Sequence, residues 1–101
     1  MVVRMDKRDV VVFDEYQGIV TKVKKYEGNS DLYLLAKLQE ETGELAKEIV
    51  KKIEKRQENQ DITSELGDIL WVVAAIAEDN GIKLSDVVKA NVEKLHQRKL
   101  L

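Results

Sequence analysis

The sequence predicts an all-α fold, an antiparallel bundle of about four helices completed by oligomerisation. Three observations carry this expectation. Apolar residues recur at three- and four-residue spacing through four segments. Turn signals interrupt that spacing at Glu27-Gly28-Asn29-Ser30-Asp31 and at Asn80-Gly81. One segment is apolar all round, and a four-helix monomer of 101 residues can hardly bury such a helix alone.

Val10 to Phe13 fits either an extended entry segment or the first turn of a helix, so residues 1–12 are left as an irregular or extended start. From Asp14, a good capping type, Tyr16, Ile19, Val20 and Val23 follow helical spacing, which sets the first helix at about Asp14 to Tyr26. Ser30 or Asp31 caps the second helix, whose apolar stripe is Leu34, Leu38, Leu45, Ile49 and Ile53. The charged segment from Glu54 to Gln60 either extends that helix or forms a solvated loop.

Asp61 or Thr63 starts the third helix, with Ile62, Leu66, Ile69, Leu70, Val73 and Ala77 as its core stripe. Trp71, Val72, Ala75 and Ile76 then leave it no polar face beyond Asp68. Asn80-Gly81 offers a left-handed C-cap against which Ile82 packs back. The fourth helix runs from Leu84 or Ser85 to about Arg98, with Leu84, Val88, Asn91 and Leu95 as its stripe. Residues 1–101 are read as a single helical domain.

Composition narrows the functional classes. Cysteine is absent, which removes disulfide frameworks and thiolate metal sites and is compatible with a reducing cytoplasm. The N-terminal residues lack the apolar stretch of a signal peptide, so a cytoplasmic location is expected. The longest apolar run, Ile69 to Ala77, falls far short of the ~20 residues that span a bilayer. Net charge is −2 with acids and bases interspersed, so neither duplex nucleic acid nor membrane is expected as a partner. The basic run Lys22-Val23-Lys24-Lys25 reads as a solvated face.

Two acidic clusters stand out against this background. Glu40-Glu41-Thr42-Gly43-Glu44 lies in the second helix, and Glu65-Leu66-Gly67-Asp68 opens the third. Glu41 and Glu44 are one turn apart, and Glu65 and Asp68 repeat that spacing, so four acids can converge across a helix pair. Glu41 is the sharper anomaly, because it occupies an apolar step between Leu38 and Leu45. Two like charges about 4 Å apart repel by roughly 4 kcal/mol at an effective dielectric near 20. An all-oxygen cluster in a chain with one histidine favours a hard cation, magnesium first and manganese second. Magnesium combines a few carboxylates with substrate phosphates, which makes a polyphosphate the expected substrate.

The acid motifs, together with Phe13-Asp14-Glu15-Tyr16-Gln17, Leu66-Gly67-Asp68-Ile69-Leu70-Trp71, Asn80-Gly81-Ile82 and Asn91-Val92-Glu93-Lys94-Leu95 with Arg98, resemble the MazG-like family of all-α nucleoside triphosphate pyrophosphohydrolases. The resemblance covers most of the chain. It implies magnesium- or manganese-dependent hydrolysis of a nucleoside triphosphate between the α and β phosphates, giving monophosphate and pyrophosphate, in a housecleaning role. It implies Glu41, Glu44, Glu65 and Asp68 as metal ligands and Glu40 as the group that orients or deprotonates the attacking water. It further implies that Lys94 and Arg98 face phosphate or help close the site, and that Asn91 hydrogen-bonds phosphate or a water on the metal. Trp71 falls either near the nucleobase pocket or at a subunit interface, and a homodimer or homotetramer is expected.

Plainer readings stand beside these. Glu44 alone would be a solvated helix residue, and Lys47, Glu48, Lys51 and Lys52 ordinary surface pairs, with Glu48 also placed to back the metal ligands. Asn91 alone would be a buried polar residue that fixes packing, His96 a C-terminal helix cation, and Tyr16 and Tyr26 core or boundary aromatics. A di-iron carboxylate bundle would need Glu-x-x-His motifs, which neither acid cluster provides. Phosphoribosyl-ATP pyrophosphohydrolase activity is the nearer alternative. A non-catalytic nucleotide- or metal-binding oligomerisation module is the other, although such a module gains nothing by keeping an unneutralised acid cluster.

Overall fold

The computed structural model describes residues 4–23, 30–55 and 61–101. They form four helices, α1 (Lys7–Val23), α2 (Ser30–Ile53), α3 (Ile62–Asp79) and α4 (Leu84–Gln97), and no strand. The expected end of the first helix at Tyr26, the break at Glu27-Gly28-Asn29 and the segment 56–60 lie outside the described residues. No helix among the described residues is long and apolar enough to cross a membrane. The chain divides into two compact units, one holding α1, the last residues of α3 and α4, the other holding α2 and α3 as far as Ile76.

α1 begins seven residues before the expected Asp14. Its start is a reciprocal capping box: Asp6 Oδ1 accepts from the Asp9 N–H at 2.9 Å, and Asp9 Oδ2 accepts from the Asp6 N–H at 3.0 Å. Two orphan donors are satisfied at once, which draws the β-branched Val10 to Val12 into the helix despite their weaker propensity. Asp14 therefore sits inside α1 and caps a different helix, its Oδ1 accepting from the Ser85 N–H at 3.3 Å.

Gln17, 5 % exposed, ties α1 to the start of α4. Its Oε1 accepts from the Leu84 N–H at 2.7 Å, and its Nε2 donates to the Ile82 carbonyl at 2.8 Å. α4 thus has its first donors satisfied by α1 side chains, and Lys83 at the N-cap position makes no side-chain cap. The turn before it is a Schellman motif: Ile82 N–H donates to Ala77 O and Gly81 N–H to Glu78 O, with Gly81 at φ +66°. Only glycine takes that backbone conformation without a Cβ penalty, so the expected left-handed cap falls on Gly81. α4 ends in the same motif, with Leu100 N–H on Leu95 O, Lys99 N–H on His96 O and Lys99 at φ +57°.

In the other unit, Leu34 and Val72 are buried, as are Ala74 and Ala75. The α3 stripe read from spacing is covered in part, with Ala77 buried and Ile62, Ile69 and Val73 half-buried. Leu66 is 51 % and Leu70 43 % exposed, while Val72, Ala74 and Ala75, outside the expected stripe, are covered. An all-apolar helix offers several equivalent stripes, so spacing alone does not choose among them. On α2, Leu38 and Leu45 are half-buried, but Ile49 and Ile53 are exposed.

Candidate metal centre

α2 and α3 carry the acidic residues of one unit to a common point. Glu41, on the inward edge of α2, and Glu65 and Asp68, one turn apart on α3, each offer a carboxylate oxygen within 4.8 Å of the other two. The start of α3 is fixed by two local devices. Asp61 Oδ1 accepts from the Ser64 N–H at 3.3 Å, as an N-cap does, and Glu48 Oε2 on α2 accepts from the Asp61 N–H at 3.1 Å. Glu48 is buried and also takes a hydrogen bond from Lys51 Nζ at 3.1 Å, so it is a bridge between helices rather than a surface pair.

Electrostatics divide these acids into two kinds. The Asp61 N–H and the Lys51 ammonium hold the Glu48 carboxyl below the usual range, against the opposing effect of burial. Burial pushes the Glu41 carboxyl up, helped by the charges of Asp68, Glu40 and Glu65, while Lys37 draws it back. Burial, then Asp68 and Glu44, push Glu65 up as well. One oxygen of Glu65, Oε2, is shielded from solvent and meets no hydrogen-bond donor among the described residues. A buried carboxylate oxygen without a donor, beside two more carboxylates, matches what a hard divalent cation requires, namely oxygen ligands and uncompensated negative charge.

Glu44 is exposed and lies outside this three-acid group, though its charge is felt at Glu65. Glu40 is exposed and pairs with Lys37 Nζ at 3.6 Å. A cleft of about 320 Å³ opens beside the acids, lined by Tyr33, Lys37, Glu41, Asp68, Trp71 and Val72. Its size sits at the lower end of small-molecule sites. Trp71, half-buried, thus lines the same cleft as two of the acids.

Asn91, Lys94 and Arg98 belong to the unit of α1 and α4. Asn91 is exposed rather than buried, and with Lys94 it lines an open groove that includes Ile82, Asp86 and Val87. Arg98 closes α4, its N–H donating to the Lys94 carbonyl at 2.9 Å. Sequence reasoning did not single out Lys37 and Tyr33 as cleft residues, nor Gln17 as a cap. Lys37 was within reach of it, since it precedes Glu41 by four residues and so shares its helix edge.

The model of the MazG nucleotide pyrophosphohydrolase domain matches residues 29–100, the stretch that holds both acid motifs. The Gene 37 protein of Mycobacterium phage L5 is 33 % identical over 99 residues, covering 85 % of this chain and 87 % of its own. The uncharacterized protein YvdC of Bacillus subtilis (strain 168) is 33 % identical over 72 residues, 60 % of this chain and 68 % of its own. No solved structure matches. With the family model spanning most of the sequence and a relative aligned over most of both chains, this chain belongs to the MazG nucleotide pyrophosphohydrolase domain family.

Proposed function

We propose that this protein hydrolyses a nucleoside or deoxynucleoside triphosphate between its α and β phosphates, releasing monophosphate and pyrophosphate, in cytoplasmic nucleotide-pool housecleaning. The observation that supports it most is the meeting of Glu41, Glu65 and Asp68, with the donor-less Glu65 Oε2 among them. Those three would hold magnesium, or manganese in its place, with Glu44 joining from one turn further along α2. The chemistry supplied by such an ion when bound is charge neutralisation on the phosphate chain and a lower pKa for the attacking water.

The remaining roles fall to the chain's own side chains. Glu40, exposed, next to Glu41 in sequence and paired with the cleft residue Lys37, is assigned to orient the water and take its proton. Trp71 is assigned to the nucleobase, for which an aromatic face within the cleft is suited. Asn91, Lys94 and Arg98 are assigned to the phosphates on the strength of the family pattern. We further propose that residues 1–101 act as one MazG-like domain and assemble as a homodimer or homotetramer, for which the exposed Leu66, Leu70, Ile49 and Ile53 are the supporting observation.

The test is pyrophosphate release from a panel of canonical and damaged nucleoside triphosphates, with magnesium, manganese or chelator, for the wild type and Glu41→Gln. Metal-dependent release of pyrophosphate and monophosphate that falls at least about a hundredfold in the variant is expected, since a ligand of the reacting centre is lost. Turnover by Glu41→Gln at the wild-type rate would end the assignment. Activity confined to a phosphoribosyl-ATP substrate would move the protein to the neighbouring pyrophosphohydrolase activity.

A further inference from the structure

Lys37 is the one cation among the described residues that line the acid-side cleft. Its ammonium stands 3.6 Å from Glu40 Oε2 and 3.9 Å from Glu41 Oε1. Both distances exceed those of a charge-assisted hydrogen bond, about 2.7–2.9 Å, so the group straddles two carboxylates without being locked to either. Helix stability alone gives little reason for the arrangement, because Glu before Lys at four-residue spacing is the favourable order and here the order is reversed. The Lys37 side chain is one-third exposed and Glu41's is 13 % exposed, so the cation reaches inward from the rim toward the acids.

Charge bookkeeping gives that position a purpose. The three converging acids carry three negative charges when ionised, and a single divalent cation leaves one of them uncompensated. A polyphosphate approaching such a cluster still meets net negative charge, with Glu40 and Glu44 adding to it. A mobile ammonium on a flexible four-carbon stem is suited to cancel it, first on the carboxylates and then on the phosphate.

We propose that Lys37 is the resident counter-cation of this site: it holds Glu40 and Glu41 while no divalent ion is bound, gives them up when one binds, and then contacts the phosphate chain of the substrate. The second half rests on the nucleotide reading given above, and the first half does not. Lys37 thereby makes metal binding and phosphate binding sequential, since the ammonium cannot serve both partners at once.

The experiment compares the wild type, Lys37→Met and Lys37→Arg in two binding measurements. Mn²⁺ is titrated calorimetrically into the metal-free, nucleotide-free protein, and a non-hydrolysable α,β-methylene nucleoside triphosphate is then titrated at saturating Mg²⁺. Lys37→Met is expected to bind Mn²⁺ about fivefold more tightly, because the competing cation is gone. It is expected to bind the analogue at least about tenfold more weakly, because a charged contact is lost. Lys37→Arg should return both values toward the wild type, and circular dichroism should show all three proteins equally helical.

Mn²⁺ affinity unchanged or weakened in Lys37→Met overturns the proposal, whatever the protein hydrolyses. Tighter Mn²⁺ binding with unchanged analogue affinity overturns its phosphate half. Tighter Mn²⁺ binding in a protein whose wild type binds no nucleotide analogue supports the counter-cation and overturns the nucleotide reading, so the two failures are distinguishable.

Discussion

Glu41 shows how a single residue points to a candidate site before the fold is known. It stands where helical spacing asks for an apolar side chain, and it is half-buried, so its charge is held at a cost. Glu65 on α3 is half-buried too, and both carboxyls are pushed above their usual range, by burial first and by neighbouring acids second. A folded-state pKa above the unfolded one means that the native state binds protons more tightly, so stability falls as pH rises through the window between the two values. Metal-free protein should therefore gain stability on acidification from neutral pH into that window. Glu48, held below its usual range, contributes in the opposite sense, and its stabilisation is lost only at lower pH. Glu41→Gln removes one of the repelling charges. We expect it to raise the metal-free Tm at pH 7 by a few degrees, to flatten the acid-side rise, and to remove most of the Tm increase that Mg²⁺ gives the wild type. Thermal melts from pH 4.5 to 8, with Mg²⁺ or chelator, measure all three. A metal-free Tm lower than wild type at pH 7 would show that Glu41 is stabilising as a charge.

At the scale of elements, the helices and the acid motifs were legible in the sequence to different degrees. The spacing of Glu65 and Asp68, and the inward step of Glu41, depend only on helical period, and the structure brings those three together. Glu44, at the same spacing, falls outside the group because it points farther round α2 toward solvent. The start of α1 was misplaced because Asp14 looked like a cap, whereas Asp6 and Asp9 satisfy each other's backbone and begin the helix earlier. Gln17 was invisible for a different reason. Its partners, Ile82 and Leu84, are more than sixty residues away, and no local pattern encodes a cap supplied by another helix. Gln17→Ala should leave a buried N–H and a carbonyl without partners, costing about 2–4 kcal/mol. Chemical denaturation would report this as a fall in midpoint at unchanged slope. Gln17→Glu keeps an acceptor for Leu84 but sets a buried carboxylate against the Ile82 carbonyl, so it should be destabilised too, and more at neutral than at acidic pH. Equal stability of Gln17→Ala and wild type would mean that water replaces the side chain.

At the scale of the whole molecule, what the single chain leaves uncovered bears on assembly. Leu66 and Leu70 are one turn apart on α3 and about half exposed, and Gly67 lies beside them. Among the described residues a Cβ built on Gly67 would meet nothing within 4 Å, and no unusual backbone angle calls for glycine there. A glycine inside a helix costs roughly 0.5–1 kcal/mol relative to alanine. Its presence in an open apolar face is explained if a second copy approaches that face closely, as the proposed oligomer requires. Two variants then separate the chain from its assembly. Leu66→Lys with Leu70→Lys should shift the protein to monomer in analytical ultracentrifugation while leaving its helicity intact, because both residues are exposed in the single chain. Gly67→Ala is the sharper probe. In a monomer it should stabilise α3 by the propensity difference, raising Tm; in an oligomer that packs on this face it should weaken association about tenfold or more and make Tm more dependent on protein concentration. A stabilised Gly67→Ala that sediments as the wild type does would exclude this face of α3 from the interface and leave the exposed Ile49 and Ile53 of α2 as the surface to test.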